Sequence, residues 1–149
     1  MALVDCGSAT FTAAKTDRSD KVEIRAAGGE SPVSWRDGGM NALMFYVEGD
    51  SATGSAKLEV FITEDVAGTE KVVWTREVTI TPSAYRTKID GSAGNYLCYA
   101  LDAVTSKECV DLCRHVSNAP NVGTKVYMSC VSLTTIASLR VRVRATRSI

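Results

Sequence analysis

Leu139-Arg140-Val141-Arg142-Val143-Arg144-Ala145 alternates strictly. On an extended chain Leu139, Val141, Val143 and Ala145 fall on one face and Arg140, Arg142 and Arg144 on the other. Strand side chains repeat with a period of two, so this stretch reads as a half-buried β-strand. The same alternation recurs upstream. Residues 21–26 place Val22, Ile24 and Ala26 on one side, residues 56–63 place Leu58, Val60 and Ile62, and residues 72–80 place Val72, Trp74, Val78 and Ile80. Residues 42–47 and 96–101 are apolar on both faces and read as central strands, covered on both sides in an assembled form. Residues 126–133 and the short 84–89 complete eight strands. Residues 2–14 add an edge strand, or residues 1–20 form an N-terminal arm.

Turn chemistry separates these segments. Gly28-Gly29, Pro32, Asp37-Gly38-Gly39, Gly49-Asp50 to Gly54-Ser55, Asp65 to Gly68, Pro82, Asp90-Gly91 and Asn118 to Gly123 recur every 10–20 residues. That rhythm predicts an all-β fold, an antiparallel sandwich or jelly roll of about eight strands. One segment breaks it. Residues 106–117 place Cys109, Leu112, Cys113 and Val116 at i, i+3, i+4 and i+7, the apolar stripe of a short helical insertion. The chain has 149 residues, 45% of them hydrophobic and 23% charged. That is one domain, 1–149, with enough apolar surface for a core.

The composition narrows function mainly by exclusion. The longest apolar runs span a handful of residues, too short for a membrane helix, so no membrane partner is expected. Residues 1–6 lack a basic region and an apolar core, so no secretory signal is expected. Five cysteines, an odd number, fit buried thiols made in a reducing cytoplasm better than a disulfide framework. His115 is the one histidine. It stands two residues after Cys113, on another side of the predicted helix, so the two do not form a nucleophile–base pair. The spacing of Cys109, Cys113, His115 and Cys130 departs from paired zinc knuckles. Core packing of these cysteines is the favoured reading, with a disulfide or a metal ion as alternatives. No phosphate-binding, metalloprotease, nucleophile-elbow or calcium-loop motif occurs. We therefore expect no catalytic residues, no cofactor and no metal, and hence no enzyme.

Charge carries the most specific signal. Lys+Arg and Asp+Glu both total 17, yet they are unevenly distributed. Residues 1–111 hold 11 Lys/Arg and all 17 acids, a net of −6. Residues 112–149 hold six Lys/Arg and no acid, a net of +6. Arg140, Arg142 and Arg144 form a ladder with a spacing of about 6.6 Å, followed by Arg147. Arg86 and Lys88 share a face of their own strand. Glu23, Glu59 and Glu77 on neighbouring strands are candidate partners for this ladder. The functional alternatives are an anionic face of a neighbouring subunit and, less favoured, nucleic acid. Residues 139–149 contain no aromatic side chain to stack on bases.

The polar turn at 49–55, the strand pair 57–63 and 72–80, and the closing strand 138–147 together resemble small all-β virion proteins, of the phage decoration, cement or jelly-roll coat type. The resemblance implies a structural assembly protein without catalysis. It would be made in the host cytoplasm, reside in the virion, and bind copies of itself or a larger capsid protein. A ligand-binding sandwich such as a carbohydrate-binding module is the alternative, with Trp35, Trp74 or tyrosine residues as its platform, although the parity of Trp74 turns it inward with Val72 and Val78 and leaves Trp35 the more available.

Overall fold

A computed structural model of the chain describes residues 2–32, 40–49, 54–80, 86–87, 95–102 and 124–147. The elements in chain order are β1 (Ala2–Phe11), β2 (Val22–Glu23), β3 (Met40–Gly49), β4 (Ser55–Val66), β5 (Thr69–Ile80), β6 (Arg86–Thr87), β7 (Asn95–Asp102), β8 (Lys125–Thr134) and β9 (Leu139–Arg147). They build two antiparallel sheets. Five strands form the first in the order β1-β9-β3-β7-β6, and four form the second in the order β2-β8-β4-β5. The protein is an antiparallel β-sandwich. The predicted helix at 106–117, with Cys109, Cys113 and His115, lies outside the described residues, as does Trp35.

Alternation dictates which side chains meet between the sheets. Leu43, Phe45 and Val47 of β3 and Leu139, Val141, Val143 and Ala145 of β9 face Leu58, Val60 and Ile62 of β4, Val78 and Ile80 of β5, and Val126, Met128 and Cys130 of β8. All are essentially buried. At about 25 cal/mol per Å² of apolar surface removed from water, this shared layer holds the two sheets together. Cys6 and Cys130 are free thiols within it. Burial pushes both up to about 11, so they stay protonated and unreactive at neutral pH.

The first 24 residues close one side of the sandwich. Residues 2–11 are not a free arm. They form β1, an edge strand paired with β9, and they deliver Cys6 and Phe11 to the core. Residues 12–21 then cross to the second sheet as a strap over its outer face. The segment 21–26 pairs as a strand only at Val22 and Glu23, against Met128 and Tyr127 of β8. Polar contacts hold the rest. Lys15 N–H donates to the Cys130 carbonyl at 2.9 Å, and Cys130 N–H donates to Asp20 Oδ2 at 3.1 Å. Phe61 and Tyr127 stack beneath the strap with ring centroids 5.3 Å apart. The Arg18 guanidinium lies over Phe61 and the Lys21 ammonium over Tyr127.

A β-bulge corrects one assignment of faces. Ile62 pairs with Trp74 but Thr63 pairs with Val72, so Val73 is an extra residue in β5. The bulge breaks the two-residue period there. Trp74 packs against the core as predicted. Val72, predicted inward with it, is 40% exposed.

Candidate interaction surface

The ladder lies where its alternation places it, on the outer face of the five-stranded sheet. Leu139, Val141 and Val143 are buried, while Arg140 and Arg142 are exposed and Arg144 half-buried. β9 is an interior strand, so each arginine has a neighbour on both sides. Arg140 stands opposite Thr10 of β1 and Glu48 of β3. Arg142 stands opposite Ser8 and Tyr46, and Arg144 opposite Asp5 and Met44.

These neighbours revise the expected partners. Glu23, Glu59 and Glu77 belong to the four-stranded sheet and do not reach the ladder. Arg142 instead donates to Asp5 Oδ2 at 3.0 Å, and Arg140 lies 4.0 Å from Glu48. Arg144 stacks its guanidinium over the Tyr46 ring at 5.4 Å, and Arg147 lies 4.0 Å from Glu30. Glu59 is taken by Arg18 of the strap. Glu77 faces Glu59 across the β4–β5 ladder, a like-charge pair on the opposite outer face of the sandwich.

Asp5 sits beside a second bulge. Register runs from Asp5–Arg144 to Ser8–Arg142, so β1 spends one extra residue there. The extra residue keeps Asp5, Ser8 and Thr10 all on the outer face. The Asp5 carboxylate accepts from both Arg142 and the Gly7 N–H. The Arg142 hydrogen bond holds Asp5 below the usual carboxylate range, and Asp5 in turn raises Arg142. Around them runs an open groove of about 530 Å³, lined by Asp5, Ser8, Thr10, Tyr46, Arg140 and Arg142 among others. With three guanidinium groups and only Asp5 and Glu48 between them, the described part of this face keeps a positive excess. Exposed pairs of this kind contribute only about 0.2–1 kcal/mol each, so they remain open to exchange with a partner's carboxylates.

Arg86 belongs to the same sheet but not to the same cluster. It lies on β6, three strands away from β9, which is about 14 Å at ordinary strand spacing. Lys88 lies outside the described residues. Among the described residues no group of three His, Cys, Asp or Glu side chains could hold a metal ion.

The second outer face is built differently. Glu70 of β5 is braced twice, by Lys21 Nζ at 2.8 Å and by the Tyr127 hydroxyl at 3.0 Å. The Lys21 hydrogen bond lowers its pKa, while burial and Glu70 together raise Tyr127 to about 12. A carboxylate lowered by folding stabilises the fold above its unfolded pKa. That contribution disappears as pH falls through the folded value. Comparing Glu70→Gln with the parent by urea unfolding should therefore show a deficit of about 0.2–1 kcal/mol at pH 6. The deficit should shrink as pH falls through the lowered pKa of Glu70, below the ordinary carboxylate range. A deficit that is constant with pH would assign Glu70 a purely steric role.

The strap was the part of this surface that alternation alone did not reveal. Its signal is the run Val60-Phe61-Ile62, where an apolar residue occupies the outward position. A strand apolar on both faces needs cover on both. No family model, curated protein or solved structure matches the chain.

Proposed function

We propose that the protein is a non-enzymatic structural assembly subunit, associating with copies of itself or with a larger shell in the manner of virion decoration or coat proteins. One observation carries this reading. Arg140, Arg142 and Arg144 stand in a row on one outer face of the sandwich, while Glu59, Glu70 and Glu77 belong to strands of the other sheet. Glu59 and Glu70 are already paired there with Arg18 and Lys21, so the unbalanced charge is the row of arginines itself. Such a row lowers its own repulsion by meeting carboxylates of a neighbouring subunit. The carbohydrate-binding alternative loses one of its platforms, since Trp74 packs against the core.

The test is the triple variant Arg140→Gln, Arg142→Gln, Arg144→Gln. Its fold should survive, because these side chains point outward and their pairs are exposed. Light scattering should show weaker association with a smaller dependence on salt. Association unchanged at both low and high salt would make the ladder a solvated face paired only with Asp5 and Glu48.

A further inference from the structure

The hairpin β4–β5 outruns its sheet. β8 accompanies β4 only from Ser55 to Thr63, whereas β5 continues to pair through Val66–Thr69. Glu64, Asp65 and Val66 with Thr69, Glu70 and Lys71 therefore form a two-stranded ribbon. Among the described residues no third strand flanks it. It extends about 10 Å past the sheet at three residues of strand rise. A two-residue turn closes it, with Ala67 and Gly68 both left-handed at φ 53° and 85°. Gly68 N–H donates to Asp65 Oδ1 at 2.8 Å.

Two features make this ribbon a recognition element. First, it is tied to the strap and β8 midway along its length, where Lys21 and Tyr127 hold Glu70, the partner of Asp65. Isolated two-stranded ribbons are only marginally stable, so the grip presents the tip in one orientation. Second, its surface is both apolar and acidic. Four large apolar side chains stay exposed among the described residues, and three of them, Val66, Val72 and Val73, sit on this hairpin. Three carboxylates, Glu64, Asp65 and Glu70, stand against two ammonium groups, Lys71 and the Lys21 that holds Glu70, which leaves a net of −1. The fourth exposed apolar residue, Leu3, lies on β1, on the outer face that carries the arginine ladder.

We propose that the tip of the β4–β5 hairpin of one copy docks on the arginine face of the next, with Glu64 and Asp65 against Arg140, Arg142 and Arg144 and Val66 covering the groove between β1 and β3. This rests on the assembly reading and gives it two named surfaces. The contact is heterologous, because the surfaces differ, so repetition produces a ring or a filament. A hairpin tip covers less than a standard interface, so each contact is weak and growth depends on concentration and salt.

Complementation tests it. Val66→Arg spoils the tip alone, and the triple Arg→Gln variant spoils the face alone. Circular dichroism and thermal melting confirm that both are folded. Sedimentation velocity should show the parent forming multimers, with each variant's association weakened about tenfold or more, which is about 1.4 kcal/mol. An equimolar mixture should form a heterodimer and stop there, since one intact tip meets one intact face. Variants that multimerise like the parent would overturn the hairpin contact while leaving assembly standing. Weakened variants whose mixture forms no heterodimer would overturn it equally. A parent that is monomeric throughout would overturn the assembly reading and this contact with it.

Discussion

Val143→Asp is expected to leave the chain unfolded in neutral buffer. Val143 is fully buried on an interior strand, pairs with Phe45 of β3, and belongs to the layer that joins the sheets. The substitution removes about 1.5–3 kcal/mol of apolar burial. It also places a carboxyl group where no partner exists, at a cost of several kcal/mol even if the group takes up a proton. A domain of this size has only about 5–15 kcal/mol of stability in total. Arg140→Gln, three residues earlier on the opposite face, should change stability by less than about 1 kcal/mol. Circular dichroism and urea titration of the two variants separate the faces of β9. A cooperative transition near the parent's for Val143→Asp would mean that the core has been placed on the wrong side of the strand.

Gly54→Ala should cost about 1–3 kcal/mol and lower Tm by about 2–12 °C. Gly54 is buried just before β4. A Cβ there would lie 2.4 Å from Ile136 Cγ1 and 2.6 Å from the Thr134 carbonyl oxygen. Ile136 can rotate, but the carbonyl is backbone at the end of β8, where Thr134 pairs with Ser55. Relief therefore requires opening the β4–β8 ladder. Gly28→Ala is the control, because the space around Gly28 is open. Its effect should stay within about 0.5 kcal/mol. Equal melting temperatures for the two variants would show that the chain at Gly54 moves without cost.

Alternation was sufficient to read the sandwich, because a buried face forces every second residue to be apolar. β9 from Leu139 to Ala145 follows that rule without exception, whereas β4 departs from it at Phe61, apolar on the outward side, and β5 at Arg76, opposite the inward-facing Val60. It fails where the backbone breaks period. The extra residue at Val73 turns Val72 outward, and the bulge at Cys6–Gly7 keeps Asp5 and Ser8 on one face despite their odd spacing. Pairing across the ladder was not legible at all. Asp5 and Arg142 are 137 residues apart, and only the order of strands, which alternation does not encode, brings them together. For the same reason Glu23, Glu59 and Glu77 were plausible partners by chemistry, yet they lie on the other sheet. The strap was hidden for a different reason. Its residues are polar, and it holds the outer face through Arg18, Lys21 and Asp20 rather than by burying a stripe.

Assembly through the arginine face is tested most directly by sedimentation velocity of the unmodified protein over a range of concentrations at 50 mM and 500 mM salt. Screening shortens from about 14 Å to about 4 Å between these conditions, so contacts between exposed charges weaken strongly. The expected result is a weight-average mass that rises with concentration at low salt and falls back toward 15.9 kDa at high salt. A single 15.9 kDa species at every concentration and both salts would contradict it.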